Sequence, residues 1–424
     1  MAPESDFSGI AVALVTYADI VAARERIADG VSLSPCLESI PLSELAPPGC
    51  RVFCKLDYLQ RTGSFKERGA RNALLLLDES QRTRGAIAAS AGNHALGLAY
   101  HGMRLGIPIT VVMPLNAPLV KVTTCRHLNA NVIQHGNSFR EAADLARQIA
   151  EQQGLTYIHG YDDPAIIAGQ GTLGLEILDQ VPDVDAIVVP IGGAGLIAGV
   201  ALAVKSVRPA VQIIGVEPAS MPKFRLALAA GHPVQIDPGH TLADGLATPD
   251  IGPRAFAIAR DLVDRVVDVS EDEISLAILR MLEREKAVVE GAAATTLAAL
   301  ESGKLPELAG KRVVLVLGGG NIDPTMLDRI IERGLVADGR LSRFTATISD
   351  RPGGLARLAT VLAGSGASIK QLTHDRVFCG PDASAVDVLC LIETRDHEHL
   401  QQVHEHLSQA GVIFSTHKHS VTAD

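Results

Sequence analysis

Lys66 lies in the segment Thr62-Gly63-Ser64-Phe65-Lys66-Glu67-Arg68-Gly69-Ala70, and a short way on the chain reads Ser90-Ala91-Gly92-Asn93-His94. A lysine amine on an apolar-flanked turn can attack an aldehyde and form a Schiff base, provided it is neutral. Neutrality near pH 7 requires burial or a neighbouring positive charge. Phe65 offers the first and Arg68 the second, although Arg68 reads more readily as a structural salt-bridge partner than as a catalyst. A lone lysine is most often a solvated surface charge; what singles out Lys66 is the small polar loop that follows. Hydroxyls and amides in such a loop can receive a carboxylate, and Gly92, lacking a Cβ, lets the backbone come close.

A third segment, Gly192-Gly193-Ala194-Gly195-Leu196, follows the apolar run Ala186–Pro190 and opens a helical pattern. Backbone N–H groups at a helix N-terminus cradle phosphate. By itself such a turn is equally a packing device. Ala194 interrupts the glycines by one methyl, which a β-region φ would tolerate.

These segments resemble those of the threonine/serine dehydratase family, pyridoxal-phosphate enzymes of the tryptophan-synthase-β-like fold (fold type II). The resemblance runs along nearly the whole chain. It takes in Asp163–Thr172, Pro190–Leu196, Gly215–Pro218, Thr241–Leu246 and Gly319–Pro324, in the family's order. It implies pyridoxal 5'-phosphate as cofactor, bound through Lys66, which also removes the α-proton. Phe65, Asn93, Gly192, Gly193, Ala194, Gly195, Leu196 and Gly318 would contact the cofactor, with Asn93 donating to its phenolic oxygen. Ser90, Ala91, Gly92, Asn93 and His94 would receive the substrate, Ser90 with a catalytic part and His94 more as scaffold.

Three departures from the family pattern matter. Relatives carry Ser or Cys where this chain has Gly318, so the pyridine nitrogen would turn to water or another group. Serine racemases of this fold place a serine where Ala91 stands. Alanine cannot protonate the opposite face of the α-carbon, which favours elimination over racemisation. Glu217 matches a cation ligand of the family, but six residues on the chain has Lys223, whose ammonium could replace a metal by pairing with Glu217. Dependence on a divalent or monovalent cation stays open on the sequence.

The implied reaction is β-elimination of a β-hydroxy amino acid to a 2-oxo acid and ammonium, with L-threonine the default substrate and L-serine next. A bulkier substrate such as phenylserine is the alternative, given Gly318, Ala194 and Leu96. A racemase, a β-replacement lyase, or a non-catalytic amino-acid sensor are the remaining readings.

The positioning elements follow from pattern. The chain has 424 residues, 47% of them hydrophobic, with no Trp and a net charge of −10. Without runs of one sign, nucleic acid and membranes are not expected partners. Strand-like runs at Ala86–Ala89, Ile109–Met113, Ala186–Pro190, Ile213–Val216 and Val313–Leu317 alternate with helical patterns such as Phe139–Gln152 and Glu273–Glu285. That rhythm predicts an α/β fold of parallel sheets covered by helices on both faces; the resemblance implies two such parallel-sheet subdomains. Gly- or Ser-rich turns at strand ends mark where such sheets hold ligands.

After Leu341 the order becomes strand, Asp350-Arg-Pro-Gly turn, helix to Gly364, strands around Ser368–Arg376 and Ala385–Thr394, helix His397–Gln409 and a last strand. This βαββαβ order resembles an ACT domain, which implies pairing into a dimer or tetramer and a possible amino-acid effector at Gly353-Gly354. The expected division is a catalytic domain over 1–335, with a smaller subdomain at roughly 84–160, a linker at 336–341 and an ACT-like domain over 342–424. Gly9–Val15 is too short to span a bilayer and no signal-peptide pattern precedes it, so the expected location is cytoplasmic. The six cysteines form no C-x-x-C pair and read as small buried hydrophobes in a reducing compartment, not as a zinc site.

Overall fold

The computed structural model describes residues 15–236, 239–375 and 384–416. The chain forms two compact units, Met1–Asp323 and Pro324–Asp424. Most of Gly9–Val15, and Cys379, lie outside the described residues.

The first unit contains two sheets. The larger has spatial order Cys36–Ser39, Arg51–Lys55, Arg312–Val316, Ala186–Pro190, Gln212–Pro218, Arg265–Val269. Only Cys36–Ser39 is antiparallel to its neighbour. The smaller sheet is parallel throughout, in the order Asn131–Gln134, Ile109–Met113, Ala86–Ala89, Thr156–Tyr157. Ala186–Pro190 and Ala86–Ala89 are buried at every position, as expected of strands covered on both faces. This is the α/β architecture of fold type II.

Helix boundaries follow local chemistry. Ser138 caps the helix Phe139–Gln153 by accepting from the Glu141 amide, and Gly154 ends it at φ 66. Asp163 caps Pro164–Gln180, where proline at the first turn forfeits no intrahelical bond. The pattern at Glu273–Glu285 is realised as an α-helix, Glu271–Arg280, that passes into a π-turn over Met281–Glu285 and stops at left-handed Lys286.

The second unit opens with the helix Pro324–Ala337. The division thus falls at Asp323/Pro324, before the 335/336 boundary read from the sequence, and the linker segment 336–341 runs from the end of this helix to the first strand. An antiparallel sheet follows in the order Ser368–Asp375, Ala385–Glu393, Leu341–Ser349, Ile413–Thr416, with helices Gly354–Gly364 and His397–Gln409. The layout is compatible with an ACT-like domain. Phe344, Leu358, Leu362, Val388, Val403 and Leu407 fill its core.

Among the described residues no helix is long and apolar enough to cross a membrane. Cys36, Cys50, Cys54, Cys125 and Cys390 are free thiols.

Candidate active site

Three turns at the carboxyl ends of parallel strands converge on one cavity of about 440 Å³. Ser90 follows Ala86–Ala89, Gly192 follows Ala186–Pro190, and Gly318 follows Arg312–Val316. The cavity is lined by Phe65, Lys66, Ser90, Ala91, Gly92, Asn93, His94, Gly192, Gly193, Ala194, Gly195, Leu196 and Gly318, so the sequence-derived candidates meet in space, Glu217 apart.

Lys66 begins the helix Lys66–Leu75. Its Nζ donates to the carbonyl oxygen of Gly160 at 2.7 Å and lies 5.3 Å from the centre of the Phe65 ring. Burial lowers its pKa to about 8, against the opposing pull of the Glu290 carboxylate. Arg68 has no part in that shift. Its guanidinium is fully buried, bridging Asp57 at 2.7 Å and Glu176 at 2.6 Å, and Lys55 joins Glu176 at 2.6 Å. The residue is a structural ion-pair centre that anchors the lysine-bearing helix.

Ser90 Oγ accepts from the amides of Gly92 and Ala95, which fixes the loop ahead of the helix Asn93–Leu105. Asn93 Nδ2 donates to both Glu290 oxygens at 3.0 Å, and its Oδ1 accepts from Asn321 at 2.9 Å. His94 Nε2 meets the Ile158 carbonyl at 3.2 Å, and burial drives its pKa down to about 3. It is therefore a neutral ring with a structural bond, in line with a scaffold role.

Ala194 corrects one expectation. It sits at φ 70, ψ −1, the left-handed region and not the β region, immediately before the helix Gly195–Val207. An L-residue there carries roughly 1–2 kcal/mol of strain. The flanking glycines are needed for space: a Cβ on Gly193 would run into the Tyr161 ring, and one on Gly195 into the Tyr161 carbonyl. A Cβ on Gly318 would sit 3.0 Å from Phe65 Cδ1, so the Phe65 ring crowds the space a side chain there would enter.

Glu217 and Lys223 also differ from expectation. Glu217 is buried and accepts from the amides of Phe224 and Arg225 at 2.9 and 3.1 Å, capping the helix Lys223–Ala230. Burial pushes its pKa up to about 7. The three hydrogen bonds of Lys223 Nζ go to the Leu246 and Thr248 carbonyls and the Thr248 hydroxyl, not to Glu217. Among the described residues no group of three or more His, Cys, Asp or Glu is placed to hold a metal.

Sequence reasoning missed Glu290, Tyr161, Lys121 and Asp244, all of which line the cavity. Glu290 is almost fully buried, and burial raises its pKa to about 7. Its signal was present: one carboxylate between Val288-Val289 and the all-small run Gly291-Ala-Ala-Ala. Lys121 reaches across the cavity to Asp244 at 3.4 Å. Tyr161 donates to Asp250, its ring lying against the glycine turn.

A reactive amine, a crowded glycine turn at a helix N-terminus and an amide donor at Asn93 fit pyridoxal phosphate, with the helix start suited to its phosphate. The family model "Pyridoxal-phosphate dependent enzyme" matches residues 27–319. The chain belongs to that family. It is 44% identical to the L-threonine ammonia-lyase of Geobacter sulfurreducens over 94% of this chain and 99% of that one. With the L-threonine ammonia-lyase of Thermotoga maritima it shares 42% over 94% and 98%. Among solved structures, the processed form of threonine deaminase isoform 2 from Solanum lycopersicum aligns with TM-score 0.71 and 37% identity, covering 75% of this chain and 92% of that one. Serine racemase from Dictyostelium discoideum aligns with TM-score 0.68 and 35% identity, over 73% and 99%.

Proposed function

We propose that this protein is a pyridoxal-phosphate-dependent ammonia-lyase that converts L-threonine to its 2-oxo acid and ammonium, with L-serine as second substrate. The observation that carries the reading is the Lys66 amine, kept near neutrality by burial, in one cavity with the Ser90–His94 loop and the glycine turn. When bound, pyridoxal phosphate supplies the aldehyde that holds the amine and the ring that draws electrons from the α-carbon.

The chain's own groups do the rest. Gly192–Leu196 receive the phosphate at the start of the helix Gly195–Val207. Asn93 supplies an amide donor to the ring edge, itself held by Glu290 and Asn321. Ser90 and the loop amides bind the substrate carboxylate and set the α-carbon before Lys66. Lys66, freed once the substrate amine takes its place, removes the α-proton; that proton and the departing β-hydroxyl together make one water, and hydrolysis of the released enamine consumes one water and frees ammonium. Ala91 carries no proton to the other face, which sets this site apart from a racemase. Relatives named for threonine favour that substrate over a β-aryl serine.

The test is release of 2-oxo acid and ammonium by the cofactor-loaded protein on L-threonine, L-serine, L-threo-phenylserine and 3-hydroxyaspartate. Equal amounts of the two products, fastest with threonine, are expected. Preference for phenylserine, or epimerised threonine without ammonium, would overturn the assignment. The C-terminal unit is read as an ACT-like module that pairs copies into a dimer or tetramer and senses an amino acid. Inhibition by isoleucine or valine checks the sensing part.

A further inference from the structure

Lys223 is completely buried, yet it stands outside the set of groups that the proposed reaction uses. It opens the helix Lys223–Ala230, and its Nζ lies in a cage of three oxygens, each at 2.7 Å: the carbonyls of Leu246 and Thr248 and the Thr248 hydroxyl. An ammonium has three N–H donors, and here each has an acceptor. A buried amine without such partners would lose its proton. The charge is further balanced by Glu217 and Asp250, which oppose the effect of burial and leave the pKa at about 8.

What the cage holds is part of the cavity wall. Residues 244–249 all line it. The loop lies against the glycine turn: a Cβ on Gly192 would sit 3.3 Å from both the Gly245 carbonyl oxygen and the Leu246 Cα. Its far end is tied in as well, since the Thr248 hydroxyl donates to the Asp250 carbonyl and the Asp250 carboxylate accepts from Tyr161. Tyr161 in turn covers Gly193. Two carbonyl oxygens and a hydroxyl are ligands that a small cation would take, and the ammonium occupies that place on a covalent stem.

We propose that Lys223 is a built-in cation that holds the 244–250 loop against the glycine turn, a positioning residue that makes the site independent of any added metal or monovalent ion. The inference rests on the cavity being the site of the proposed reaction. It deepens that reading by assigning a role to a residue that touches neither substrate nor cofactor.

The experiment uses the full-length, cofactor-loaded protein with three readouts: bound-cofactor absorbance, kcat and KM for threonine, and thermal unfolding. Wild-type turnover is expected to be unchanged by EDTA and by exchange among sodium, potassium and ammonium salts. Lys223→Ala opens a cavity and is expected to lose about ten- to hundredfold in cofactor affinity and kcat/KM. Adding potassium or methylammonium restores a large part of both, and leaves the wild type unmoved. Lys223→Met, which fills the space without charge, is expected to stay folded, to lose the same functions and not to respond to cations. Wild-type turnover that collapses with EDTA, a Lys223→Met protein as active as wild type, or a folded Lys223→Ala protein that no cation rescues would each overturn the proposal. If wild type binds cofactor but turns over no threonine, the functional assignment fails instead; cofactor affinity and its rescue then still report on Lys223.

Discussion

The ammonium of Lys66 donates to the main-chain oxygen of Gly160 at 2.7 Å, which ties the reactive amine to the segment that follows the strand Thr156–Tyr157 of the smaller sheet. That contact aims the amine into the cavity while apolar surroundings lower its pKa from the ordinary 10.5 to about 8. Only the neutral amine attacks an aldehyde. Capture of pyridoxal phosphate by cofactor-free protein should therefore accelerate as pH rises through about 8, and level off well below 10.5. Stopped-flow absorbance checks this, and a midpoint near 10 would show that burial does not tune the amine.

Glu290 offers a second pH signature. Its folded pKa is raised to about 7 from an ordinary 4.5, so between those values the folded state holds more protons than the unfolded one. Its contribution to stability is thus favourable at low pH and is lost as pH rises toward 7. Glu290→Gln retains an oxygen for the Asn93 amide but cannot titrate. The melting temperature of cofactor-free Glu290→Gln should exceed that of wild type at pH 8, with the gap closing toward pH 5. A gap independent of pH would contradict the assignment of the shift to this carboxyl.

Arg68 tests the separation of fold from chemistry. Removing it leaves Asp57 and part of Glu176 buried without their partner, which costs about 3–5 kcal/mol. Arg68→Met should be destabilised by that amount in chemical denaturation. The midpoint for cofactor capture at Lys66 should stay where it is, because burial and not Arg68 sets it. A displaced midpoint would restore Arg68 as a tuning charge.

Ala194 is a site where one substitution should help. At φ 70 its methyl is strained, and glycine relieves that strain at some entropic expense in the unfolded chain. Ala194→Gly should gain about 1 kcal/mol or slightly less in denaturant unfolding. A loss of stability would mean that the methyl packs usefully within the turn.

The contrast between Lys66 and Glu290 shows what the sequence made legible. Lys66, Ser90, Asn93 and the glycine turn announce themselves because each lies in a short local segment at the end of a strand. Glu290 and Asn93 are far apart in the chain and meet only because the two sheets fold side by side. No local spacing encodes their hydrogen bond. Ala194 departs from the β-region expectation because a Gly-flanked turn is open to either sign of φ, and the left-handed one stands here ahead of the helix. The partners of Lys223 are likewise set by tertiary packing. Charge suggested Glu217, but the helix amides had already taken both of its oxygens.

In the proposed reaction Lys66 is the residue that holds the cofactor and moves the proton. Borohydride reduction of the loaded protein, followed by peptide mapping, tests it directly. A pyridoxyl label on Lys66 alone is expected, with Lys66→Ala neither labelled nor active on threonine. A label on Lys121 or Lys223, or a Lys66→Ala protein that still releases 2-oxo acid, would contradict it.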